Sequence, residues 1–188
     1  MLNILLSGVV VLVTHALEAI TGFGCTVLAM PFLTSLLGMK TGVMMATVIA
    51  WILALYIVVT KRNQIVWKQA GTIILCMLFG LPVGMYLFRN GDAVLMKRIL
   101  AVFIILVSMF QLGKLVWFPQ KTPKEAPKGM QKIVYGLLLV IGGVVHGMFS
   151  SGGPLVVLYA SRAVCDRHQF RATLCVVWAT LNTIIVTV

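Results

Sequence analysis

Apolar residues occupy this chain in long unbroken runs. Uncharged stretches extend from Met1 to Leu17, Ala19 to Met39, Thr41 to Thr60, Gln69 to Phe88, Ile99 to Gly113 and Ile133 to Val145. Several reach the roughly 17–25 residues that cross a bilayer core as a helix. Short basic or polar segments separate them. The pattern predicts helices over about 2–20, 25–38, 42–60, 69–88, 94–117, 133–149 and 154–165, with another beginning near Ala172. The expected class is an all-α, polytopic membrane protein. Pro31 falls inside the second helix and is expected to kink it. Ala46, Ala50 and Ala54 form a small-residue stripe on the third, and Gly80 and Gly84 flank Pro82 on the fourth. Both patterns read as surfaces for close helix packing.

Two interruptions stand out. The first contains Glu18, Thr21, Gly22, Phe23 and Gly24. The second runs from His146 through Ser150, Ser151, Gly152, Gly153 and Pro154. Within a bilayer, non-helical backbone is tolerated only where protein or a water-filled cavity satisfies it. Paired Gly/Pro interruptions in corresponding places of two halves point to a transport site.

Composition narrows the class further. Hydrophobic residues make up 61% of the chain and charged residues 10%, against about 25% charged in soluble domains. The net charge of +11 resides in segments between apolar runs. It therefore reads as topology determinants and contact with anionic lipid heads, not as a nucleic-acid surface. Cys25, Cys76, Cys165 and Cys175 form no C-x-x-C pair and read as small buried hydrophobes. Met1–Asn3 carries no basic n-region, so the first apolar run is expected to remain in the mature protein.

Residues 118–132, rich in Pro and Lys, read as an exposed linker between a first transmembrane repeat, 1–117, and a second, 133–188. The second repeat is expected to be truncated, lacking its last two helices. Two topologies compete. If each broken segment crosses once, the basic residues divide evenly. If each is a hairpin with no net crossing, Lys61, Arg62, Lys68, Lys121, Lys124, Lys128, Lys132, Arg162, Arg167 and Arg171 share one face. Lys40, Arg89, Lys97 and Arg98 take the other. The positive-inside rule favours the hairpins, which makes the repeats inverted.

The stretch Glu18, Thr21, Gly22, Phe23, Gly24 and, further on, Pro31 resembles the first motif of the TauE/SafE family of membrane permeases, the sulfite exporter family. Ser151, Gly152, Gly153, Pro154 and Tyr159, with Phe170, Arg171, Ala172 and Thr173, resemble its second motif. The resemblance covers the whole chain, with Cys25 a departure from the more Gly-rich first motif. It implies a multi-pass protein of the cell (plasma or inner) membrane that transports small anions, with sulfite, sulfoacetate and related organosulfonates as the named cases.

For a sulfur oxyanion, helix starts at the two breaks offer unpaired N–H groups and positive dipole ends. Gly22, Gly24, Gly152 and Gly153 let the backbone approach. Thr21, Ser150 and Ser151 add hydroxyls, and Pro154 suits a first helical turn. Glu18, a carboxylate in an apolar run, is a functional candidate by default. Burial favours its neutral form, so it is a candidate proton carrier; the alternative is a carboxyl bonded to backbone freed by the break. His146 is its counterpart as proton relay or anion donor, or else a satisfied core histidine. His15, Glu18 and His146 lack further ligands, so no metal or cofactor is expected. No catalytic triad, zinc motif or nucleotide loop appears, so an enzyme is not expected. The expected partners are a small anionic solute and membrane lipid, with a homo-oligomer left open and no nucleic acid. The competing reading is a non-transporting membrane subunit or degenerate fragment.

Overall fold

Hydrocarbon offers no partner for open backbone groups, so a chain this apolar is driven to satisfy them within helices. The computed structural model describes residues 2–21, 25–117, 130–164 and 166–187. Among these there is no strand. The helices are α1 (Leu2–Thr21), α2 (Cys25–Leu36), α3 (Met39–Thr60), α4 (Trp67–Asn90), α5 (Ala93–Trp117), α6 (Met130–Phe149), α7 (Gly153–Ala163) and α8 (Arg167–Thr187), with a 3₁₀ turn at Arg62–Gln64. Six of them, α1, α3, α4, α5, α6 and α8, are long and apolar enough to cross a membrane. The protein is thus a polytopic all-α membrane protein. Buried hydroxyls inside the helices return to the preceding turn, as Thr34 does to the Met30 carbonyl and Thr14 to that of Val10.

The two short helices are too short to span. At 1.5 Å per residue, the 12 residues of α2 and the 11 of α7 give about 18 and 17 Å. Each doubles back on the long helix before it. Val10 and Val11 of α1 pack on an apolar cluster that includes Ala29, Met30 and Leu33 of α2. At the other hairpin, the Arg162 guanidinium near the end of α7 lies 5.3 Å from the ring centroid of Tyr135 in the first half of α6. The Tyr159 hydroxyl of α7 donates to Gln69 at the start of α4. The Val66 N–H donates to Thr173 near the start of α8. The end of α7, the start of α8 and the start of α4 therefore gather at one end of the bundle.

Helices α4 and α6 run parallel in backbone contact. A Cβ on Gly80 would strike the Val140 carbonyl, one on Gly84 the Val144 carbonyl, one on Gly143 the Met77 carbonyl and one on Gly147 the Leu81 carbonyl. Small residues at each crossing permit this approach, the usual device where water cannot drive helices together. Ala46, Ala50 and Ala54 of α3 are buried. Trp51 of α3 donates its indole N–H to Thr183 of α8 at 2.8 Å.

Two connections differ from the sequence reading. The segment 166–171, expected to lie between two helices, is mostly the first turn of α8. Asp166 accepts the Gln169 N–H at 2.8 Å, so an aspartate N-cap starts the helix there. Helix α6 begins at Met130, inside the expected linker; residues 118–129 lie outside the described residues. Asp92 caps α5 in the same way as Asp166 caps α8, accepting the N–H groups of Val94 and Leu95.

Candidate functional site

Six helices meet around one small cavity. Its walls are Glu18 of α1, Thr26 of α2, Ala50 of α3, His146 near the end of α6, Ser150 just beyond it, Gly153 of α7, and Trp178 and Asn182 of α8. Its volume is about 10 Å³, near the least that admits a single water. It is too small for any solute larger than water. A wider hollow on α3, lined by Thr41, Met44, Met45, Val48 and Ile49, offers one hydroxyl and no charge.

Glu18, near the end of α1, and Thr26, at the start of α2, reach the cavity from the first hairpin. Glu18 is buried, with 6% of its surface exposed. Thr21 ends α1, and its side chain lies outside the described residues, as do Gly22 and Gly24 altogether.

The second break is built from the end of α6. The Ser150 N–H donates to the His146 carbonyl at 2.7 Å, and Ser150 has φ +51°. This is the left-handed stop that most often uses glycine. The chain then reaches Gly152, the N-cap of α7, with Pro154 in the first turn. No side chain caps this helix, so the N–H groups of Gly153 and Leu155 have no acceptor within it. A Cβ on Gly152 would lie 2.5 Å from the Gly142 carbonyl oxygen and 2.9 Å from the His146 Cβ, so the break has no space for a larger residue. Ser151 is fully buried and donates to the Phe149 carbonyl at 2.9 Å. Its proton is engaged in holding the turn.

His146 is 2% exposed. Its Nε2 lies 3.0 Å from Asn182 Oδ1, and its ring stacks on Trp178 at 5.2 Å between centroids and 26° between planes. Its Nδ1 is buried with no hydrogen-bond partner among the described residues. Among the described residues, no group of three or more His, Cys, Asp and Glu could hold a metal ion. His15 is buried but takes no part in the cavity; its Nδ1 meets the Val11 carbonyl.

Four of the expected site residues thus line one cavity: Glu18, His146, Ser150 and Gly153. Ser151, Gly152 and Pro154 shape the turn beside it. Thr26, Ala50, Trp178 and Asn182 were not expected there. Asn182 could have been suspected as an amide in an apolar run. Ala50 could not, since a small-residue stripe gives no sign that part of it faces a cavity.

A multi-pass helical protein that brings two interrupted helical hairpins to one buried polar pocket has the build of a membrane transporter. The chain matches the family model described as Sulfite exporter TauE/SafE over residues 6–188. It belongs to that family. Comparison with curated proteins and with solved structures gives no match.

Proposed function

We propose that the chain carries a small sulfur oxyanion, sulfite or an organosulfonate, by alternating access around this cavity, with a proton travelling by way of Glu18 and His146. The observation that carries the reading is the cavity wall itself. It joins Glu18 and Thr26 from the first hairpin to His146, Ser150 and Gly153 from the second. Residues distant in sequence but equivalent in the two halves share one polar pocket in an otherwise apolar bundle.

The chemistry follows from the parts. The unpaired N–H groups at the start of α7, with the positive end of its dipole, attract an oxyanion. Thr21, Gly22 and Gly24 would supply the matching face from the first break. An ionised Glu18 would repel the guest, so Glu18 holds its proton, or has it balanced by a neighbouring positive group, while the anion is bound. Substrate needs more room than the closed cavity gives, so the halves must part for each passage. Inverted repeats suit this motion, and the return of α7 towards the starting end of α6 supports that topology. The same end gathers Lys61, Arg62, Lys68, Arg162, Arg167 and Arg171, which supports its assignment as the cytoplasmic face.

The test is flux of labelled sulfite and organosulfonates in liposomes containing the full chain. Saturable flux that responds to a pH gradient is expected. Folded protein with no flux of either class would overturn the reading.

A further inference from the structure

We propose that Asn182 is a positioning residue that sets where the cavity's histidine takes its proton. Its side-chain carbonyl accepts the Nε2 proton of His146 and leaves Nδ1 as the basic nitrogen. The proposal deepens the transport reading, and only its flux arm rests on that reading.

A carbonyl oxygen has no proton to give, so Oδ1 at 3.0 Å from Nε2 requires the ring to donate from Nε2. In the neutral imidazole the lone pair then resides on Nδ1. That atom is buried with no partner among the described residues. Buried polar atoms in this condition are uncommon and call for a functional or solvent explanation. The adjoining cavity supplies one: its polar walls and volume of about 10 Å³ suit a single water or a hydronium delivered to Nδ1. The Trp178 ring stacked on the imidazole fixes the plane in which the two ring nitrogens lie.

The titratable side chains described on the surrounding helices are His15 and Glu18 of α1, Lys40 and Tyr56 of α3, Lys68, Cys76, Tyr86 and Arg89 of α4, Lys132 and Tyr135 of α6, Tyr159 and Arg162 of α7, and Arg167, His168, Arg171 and Cys175 of α8. Of these, only Glu18 lines the cavity with His146. Glu18 is therefore the group with which His146 exchanges a proton, directly or across one water. Asn182 belongs to α8 and His146 to α6, so any movement of α8 away from α6 breaks the bond that fixes the tautomer. Protonation and helix movement are coupled through this one contact.

The first experiment needs no transport. The full chain, with ¹⁵N-labelled histidine, is placed in lipid nanodiscs and its ring nitrogens are read by NMR. His146 is assigned by the signals lost in His146→Gln. The expected result is a neutral ring protonated at Nε2 that gains its second proton at Nδ1. A ring protonated at Nδ1 in the neutral form would overturn the proposal. The second experiment measures the pH profile of sulfite flux. Asn182→Asp places a carboxylate against Nε2 and favours the imidazolium, so the midpoint should move to higher pH by about 1 unit or more. Asn182→Leu should populate both tautomers in the NMR experiment. An unmoved profile in an Asn182→Asp protein that folds and transports would overturn the proposal. If Asn182→Asp does not fold, the wild-type tautomer decides. If sulfite flux is absent while the tautomer is as expected, the transport reading fails and the role of Asn182 stands.

Discussion

Ser150 donates its hydroxyl proton to Thr47 across 2.5 Å. The direction follows from the neighbouring bond: Thr47 has a single hydroxyl proton and gives it to the Val43 carbonyl at 2.7 Å, so only Ser150 can supply the other. Ser150 also holds φ +51°, a conformation costing a non-glycine residue about 1–2 kcal/mol. A glycine would relieve that cost, so the hydroxyl is what the serine adds. Ser150→Gly is expected to leave thermal stability nearly unchanged, the relieved backbone offsetting a lost bond worth about 1 kcal/mol. Sulfite flux should fall about tenfold or more, as loss of about 1.4 kcal/mol of stabilisation implies. Thr47→Val should act oppositely on binding, freeing the Ser150 proton for the anion and lowering KM. Equal flux in wild type and Ser150→Gly would show that the hydroxyl serves the closed fold only.

Glu18→Gln keeps the size and hydrogen-bonding capacity of the side chain while removing its proton exchange. If Glu18 carries the coupled proton, the variant should lose accumulation driven by a pH gradient but retain exchange of labelled for unlabelled substrate at equal concentrations. Liposome assays of the two modes side by side separate these outcomes. Loss of both modes would place Glu18 in substrate binding or folding instead of coupling.

The helices were legible because lipid-compatible runs leave few alternatives, and the break after α6 was legible because Ser, Gly and Pro contradict their apolar surroundings. The cavity was legible from one side only. His146 and Ser150 sit at a visible break, whereas Asn182 and Trp178 reach the site because α8 packs across it, a contact between distant parts of the chain. The start of α8 was misplaced for a local reason. The polar sequence from Asp166 to Arg171 resembles a turn, yet Asp166 caps a helix whose first turn is simply polar. Arg171 was read as a topology charge, and its bond to α1 had no signature along the chain.

The parallel contact of α4 and α6 predicts a sharp difference between glycines on one helix. Gly143→Ala would drive a methyl group into the Met77 backbone, whereas a Cβ on Gly136 meets nothing within 4 Å. Overpacking costs about 1–3 kcal/mol, or more where backbone must yield. Alanine in an open helical position gains up to about 1 kcal/mol over glycine. Gly143→Ala should therefore lower the unfolding temperature in detergent and Gly136→Ala should hold or raise it. Similar melting of the two variants would mean that the helices are not in backbone contact.

Arg171 donates from Nη1 to the Ala19 carbonyl at 2.6 Å. Ala19 lies in the last turn of α1, where carbonyls have no intrahelical partner and the dipole is negative. The guanidinium thus caps the helix that carries Glu18 and fastens it to α8. A hydrogen bond to a charged group is worth about 1.5–3 kcal/mol, and Arg171→Met should lose about that much stability. Cys175, one turn further along α8 and 1% exposed, reports on the same contact. With Cys175 as the sole cysteine, Arg171→Met should raise its labelling rate by a soluble maleimide, because the end of α1 is freed to leave α8. Arg171→Lys keeps the charge but has a shorter reach and no planar fork, so its labelling rate should fall between the two. If labelling is the same in all three proteins, the bond does not hold α1 against α8, and the cavity's wall at Glu18 must be secured elsewhere.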